Sequence, residues 1–129
     1  MSENFLVEII SPDKSILKLE AIEVTIPAYE GQIGILKDHI PLITFLRPGI
    51  VVIKKNDEEK SFFVEDGTVE FVNNNLLILS TSAKSLDNFN KESIDILIKD
   101  SQEKINNADS NDKEKYLLSH KIDVLREIN

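Results

Sequence analysis

The hydrophobic period of this chain changes near Ser85, and no single layer of structure satisfies both parts. Upstream, apolar residues recur at every second position. Ile22, Val24 and Ile26 share one face of residues 21–26. Residues 5–10, 50–55, 60–64, 68–72 and 76–80 are further short runs rich in β-branched or aromatic side chains. Turn signals separate them: Ser11-Pro12-Asp13, Arg47-Pro48-Gly49, Asn56-Asp57, Glu65-Asp66-Gly67 and Asn73-Asn74-Asn75. Short strands at near-regular spacing predict a β-sandwich or barrel. Downstream the period is helical. Ile94, Leu97, Ile98 and Ile105 fall on one face, with Asp95–Lys99 and Asp100–Lys104 as favourable pairs. Residues 106–110 read as a break. Asn111 then reads as an N-cap with Glu114 in the capping-box position. Leu118, Ile122 and Leu125 line a second helix. Helices this short are not stable alone, so they pack on each other, on the β-unit or on a partner.

With 129 residues the chain holds one ordinary domain, or a small domain with an appendage. No apolar run approaches the roughly 20 residues of a membrane span, so direct membrane insertion is not expected. The acidic start Met1-Ser2-Glu3-Asn4 lacks the basic flank of a signal peptide. There is no cysteine, hence no disulfide framework and no thiolate chemistry, which fits a cytosolic setting. The net charge of −8 argues against nucleic acid and against an anionic lipid surface, both of which need a basic face. Arg47 and Arg126 are the only arginines.

No residue set reads as catalytic, and no cofactor or metal is expected. His39 and His120 are far apart in sequence, and no cysteine or carboxylate cluster completes a metal set. Gly31 and Gly34 are too closely spaced for a phosphate loop and lack its Lys-Ser/Thr end. Gly31 reads as a tight turn with positive φ, and Gly34 as a bulge or a close backbone contact. Asp57-Glu58-Glu59 reads as a solvated hairpin tip. Residues 27–43 therefore read as a rigid, polar-tipped loop held on strands, a form suited to docking.

Those same residues resemble a family. Glu30-Gly31-Gln32-Ile33-Gly34-Ile35-Leu36, His39-x-Pro41-Leu42 and Pro48-Gly49 resemble the signature of the epsilon subunit of bacterial F-type ATP synthases. The likeness extends from Phe5 to Ile128. It implies an α+β fold: an N-terminal β-sandwich of two five-stranded sheets of short antiparallel strands over residues 1–86, then a C-terminal antiparallel two-helix hairpin over residues 87–129. It implies a non-catalytic rotor subunit in the central stalk of a proton-translocating synthase. Its partners would be the gamma subunit and the c-ring, with the alpha and beta subunits joining when the hairpin extends. It would sit peripherally on the cytoplasmic face of the bacterial inner membrane. The absence of a basic transit segment favours the bacterial form over the mitochondrial counterpart, called delta.

The resemblance assigns the ring contact to Glu30, Gln32 and His39, with Gly31, Gly34 and Pro41 shaping the loop. Gln32 replaces a commonly acidic residue and weakens that contact. In some members the hairpin binds ATP through an Asp followed three residues later by Arg. Here Asp87 is followed by Asn90 and Asp95 by Ile98, so the guanidinium is lost. Asp87, Asp95 and Arg126 remain as contacts for weak or absent ATP binding. Lys113, Lys115, Lys121 and Arg126 are the cations available for an inhibitory contact with the catalytic head. The runner-up reading is a free-standing β-sandwich that binds a small ligand such as a nucleotide.

Overall fold

The computed structural model describes residues 3–107 and 111–128. It divides into two compact units, Met1–Ser85 and Leu86–Asn129. The first unit holds ten strands: β1 Phe5–Ile10, β2 Ser15–Ala21, β3 Glu23–Ala28, β4 Gly31–Leu36, β5 Leu42–Leu46, β6 Gly49–Lys54, β7 Glu59–Val64, β8 Gly67–Val72, β9 Asn75–Leu79 and β10 Lys84–Ser85. Hydrogen bonding runs β10-β7-β6-β3-β5-β8-β9-β1-β2, with β4 on the free side of β3. Five strands (β10, β7, β6, β3, β4) and five more (β5, β8, β9, β1, β2) are joined by one pairing, Ala28 with Leu46. The two expected five-stranded layers are therefore a continuous ladder that turns a corner at β3.

Alternation decides which side of each strand is buried. In β1 Phe5, Val7 and Ile9 are buried, while Leu6, Glu8 and Ile10 are half-exposed. Their neighbours continue the pattern: Val7 pairs Leu76, which pairs Phe71, and all three are buried. The resulting core is one cluster from Phe5 to Ile78, including Val24, Ile26, Ile35, Val51, Ile53 and Phe62. Each such side chain contributes about 1.5–3 kcal/mol by leaving water. One pairing departs from the antiparallel expectation. β1 and β9 run parallel, in register from Leu6 with Asn75 to Ile10 with Leu79. Nearly the whole unit lies between them in sequence, which supplies the long crossover a parallel pair requires.

Residues 27–43 are not a loop. Pro27 and Ala28 finish β3, Gly31–Leu36 is β4, and Leu42 and Ile43 begin β5. Glycine and proline punctuation marks a loop in the sequence, but pairing along the whole of β3 outweighs it. Gly31 has φ +127°, which accommodates the two-residue turn Tyr29-Glu30. Gly34 corrects the other expectation. It pairs Thr25 in unbroken register, and an added Cβ would meet nothing within 4 Å. It marks neither a bulge nor a close contact within this chain. β2 is a further strand that the turn signals did not announce.

In the second unit a 3₁₀ turn, Leu86–Asn88, precedes α1 Lys91–Ile105 and α2 Asp112–Ile128. The helices pack on each other. Asn90 caps α1, its side chain accepting from the Ser93 amide at 2.8 Å. Asn111 caps α2 as expected, accepting from the Glu114 amide at 2.8 Å, and its amide group donates to Glu114 Oε1 at 3.3 Å. Asn106 closes α1; residues 108–110 of the expected break lie outside the described residues. Ile94, Ile122 and Leu125 are buried, as are Ser101 and Lys121. The Ser101 hydroxyl donates back to the Leu97 carbonyl at 2.9 Å, which satisfies it inside the hairpin.

Candidate docking site on the β3–β4 hairpin

The β3–β4 turn projects an exposed carboxylate beside a buried hydroxyl. Ala28 pairs Gly31 across the turn, and Tyr29 donates its amide to the Phe45 carbonyl at 3.1 Å. Glu30 thereby comes to lie beside Thr44 in β5. The Thr44 hydroxyl is 2.7 Å from Glu30 Oε1 and 3.0 Å from Oε2, and Thr44 itself is only 5% exposed. That hydrogen bond, helped by the Glu30 backbone amide, holds the carboxyl below the usual range for a glutamate, against a small opposing effect of burial. Glu30 is thus an anion of fixed orientation. Gln32, two residues on, is exposed on β4, where successive residues alternate between faces.

His39 lies beyond the other end of β4. Asp38, at φ 66°, makes the corner, and the His39 amide donates to the Leu36 carbonyl at 3.1 Å. The corner is pinned to the β8–β9 turn. The Asp38 amide donates to Asn74 Oδ1 at 2.6 Å, and Asn74 Nδ2 donates to Asp38 Oδ1 at 2.9 Å. Asn73 and Asn74 both have positive φ, the geometry of a tight two-residue hairpin turn. The His39 ring stands edge-on to Phe71, with centroids 5.9 Å apart, and its Nδ1 lies 2.7 Å from the Ile40 carbonyl. Glu30 and His39 therefore have separate supports, with six residues of strand between them. Pro41 is exposed just before β5.

An apolar surface accompanies these groups, and sequence reading did not single it out. Ile43 is 77% exposed and Phe45 60%, on the side of β5 opposite Thr44. The register Phe45–Thr68–Leu79–Ile10 runs across four strands, apolar except at Thr68. Alternation in residues 42–46 was the available signal. It puts Ile43 and Phe45 on one face and Leu42, Thr44 and Leu46 on the other. Single exposed apolar residues are ordinary; here Ile43, Phe45 and Leu79 are exposed on nearby strands, with Thr68 between Phe45 and Leu79.

The hairpin residues are distributed differently. Asp87 is exposed in the 3₁₀ turn. Asp95 lines a shallow surface hollow of about 470 Å³ with Lys91, Glu92, Ile96 and Lys99. Arg126 lines another of about 500 Å³ with Gln102, Asn106, Ser119 and Asp123. Asp95 and Arg126 are thus not in one pocket. Lys113, Lys115 and Arg126 are exposed, whereas Lys121 is only 6% exposed. Among the described residues no group of three His, Asp or Glu side chains is placed to hold a metal ion.

The architecture defines the class: a β-sandwich followed by a helical hairpin, with its distinctive polar groups at strand turns. The signature of the ATP synthase delta/epsilon chain, β-sandwich domain, matches residues 4–85, and the chain belongs to that family. It is 47% identical over 130 residues to the ATP synthase epsilon chain of Pelagibacter ubique, across the full length of both chains. In fold it is similar to a chain of the Euglena gracilis mitochondrial ATP synthase OSCP/F1/c-ring structure. There the TM-score is 0.77 at 16% identity, covering 98% of this chain and 79% of that one. A chain of the Tetrahymena thermophila mitochondrial ATP synthase central stalk and c-ring gives a TM-score of 0.67 at 16% identity. That match covers 95% of this chain and 93% of the other.

Proposed function

We propose that this chain is the epsilon-type rotor subunit of a bacterial ATP synthase. It links the proton-driven ring to the catalytic head and carries out no chemistry itself. The observation that carries this reading is the 47% identity along the whole of both chains to a protein named ATP synthase epsilon chain. No helix of the described residues is long and apolar enough to cross a membrane. A peripheral place on the cytoplasmic face of the inner membrane, held by partners, accords with that.

The sandwich supplies the docking. Glu30, Gln32 and His39 face the c-ring, and the exposed Ile43, Phe45 and Leu79 offer apolar surface to a stalk partner. A rotor contact must hold under torque. A closely packed sheet with pinned turns bears load better than free loops do. The hairpin supplies regulation by reaching the alpha and beta subunits. Lys113, Lys115 and Arg126 are already displayed for that contact, while Lys121 becomes available only when the helices open. ATP binding is weak or absent, because Asp95 and Arg126 line separate hollows.

A tagged full-length chain recovered from membranes should bring gamma, the c-ring and the catalytic subunits with it by mass spectrometry. Recovery of the chain alone would instead support the small-ligand module. Removal of residues 87–129 should raise ATP hydrolysis by the assembled enzyme, and unchanged hydrolysis would count against the regulatory role. Isothermal titration with ATP should show no micromolar site.

A further inference from the structure

The Thr44 hydroxyl is close to both oxygens of Glu30, 2.7 and 3.0 Å away. The two oxygens of a carboxylate are themselves only about 2.2 Å apart, and a donor held to near lone-pair directions must then lie between them. It fills the mouth of the carboxylate, the side on which a guanidinium fork would make its two parallel bonds. Thr44 cannot readily leave. It is 5% exposed and sits in the middle of β5, where its backbone pairs Val69. Glu30 therefore has only its outer lone pairs to offer.

We infer that Thr44 is a positioning residue for the ring contact: it occupies the fork side of Glu30 and leaves a single-point acceptor for one cationic N–H donor of the partner, such as a lysine ammonium. This rests on the docking role proposed above and specifies its chemistry. It also gives Thr44 a purpose that burial alone does not, since a valine would fill the same space without a hydroxyl. The lowered pKa of Glu30 agrees with the contact but is not what establishes it.

The test uses the full-length chain as wild type, Thr44→Val, Thr44→Ser and Glu30→Gln. Two readouts are needed: the Glu30 carboxyl titration by carbon NMR, and binding to membranes carrying the synthase stripped of this subunit. Thr44→Val should move the Glu30 titration upward and weaken binding about threefold to tenfold, the loss expected for one partly exposed charge-assisted bond. Thr44→Ser should restore both, and Glu30→Gln should weaken binding at least as much as Thr44→Val. A Glu30 titration unmoved by Thr44→Val would overturn the positioning role, as would failure of serine to rescue binding. Wild type that does not bind the stripped membranes would overturn the rotor reading instead, whatever the titration shows.

Discussion

The two units of this chain are built to different standards of burial. The β-unit closes around one continuous core, with Val7, Ile9, Val24, Ile26, Ile35, Val51, Ile53, Val64 and Ile78 all at 0% exposure. Among the described residues of the second unit, Ile94, Ile122 and Leu125 are the buried apolar side chains, and a serine and a lysine are buried with them. A seam containing Ser101 and Lys121 gains less from staying closed than an all-apolar one, because polar groups recover their hydration on opening. The β-unit is thus suited to hold position and the hairpin to change it.

The largest effect that sharpens this contrast is Phe71→Ala. Phe71 packs edge-on against Phe5 at 5.6 Å, and its loss should cost about 3–5 kcal/mol. Urea unfolding followed by amide NMR should show the β-unit weakened while hairpin amides keep their own transition. A hairpin that melts in step with the β-unit would show that it has no transition of its own. Gly67→Ala should come next, at about 1–3 kcal/mol. Gly67 has φ +152°, and an added Cβ would stand 2.5 Å from the Leu79 carbonyl oxygen. Asn111→Ala should cost the hairpin about 1 kcal/mol through loss of the α2 cap, seen as reduced helical circular dichroism on mild heating. Gly34→Ala should be neutral or stabilising by about 0.5–1 kcal/mol, since the space is open and the backbone ordinary. The smallest effect is acidic. Because the folded carboxyl of Glu30 titrates below its unfolded value, its contribution is present above the unfolded pKa and lost as pH falls through the folded one. The stability difference between wild type and Glu30→Gln should shrink over that window in acid titrations.

Much of the fold was legible because local signals and tertiary pairing agree. The sequence pattern coincides with β1 residue for residue and with β6, β7, β8 and β9 to within one residue at each end. The Asn111–Glu114 cap was legible as well, since it depends only on neighbours in sequence. β2 carries no turn signal, although Leu17, Leu19 and Ala21 alternate with Lys18 and Glu20. Only Ile22 stands between β2 and β3, so no turn residue marks the boundary. Gly31, Gly34 and Pro41 dominate a short window, so local signals there point to a loop where β4 and β5 form. What makes them strands is their pairing with β3 and β8, which a local reading does not contain. Glu30 was singled out by residue type. Thr44 was not, because its importance lies in a contact fourteen positions away that exists only once β5 lies beside the turn.

The parallel pairing of β1 with β9 has a consequence for how the chain comes into being. β1 emerges before the other nine strands, yet one of its two neighbours, Asn75–Leu79, is almost the last part of the β-unit to emerge. Until then β1 and β2 can form only a hairpin with both outer edges bare, and two strands alone are marginal in water. The sheet therefore closes late, when β9 joins β8 to β1, close to the moment the helical hairpin begins to emerge. Synthesis should pass through a long interval in which an apolar edge is open to chaperones or to a neighbouring nascent chain.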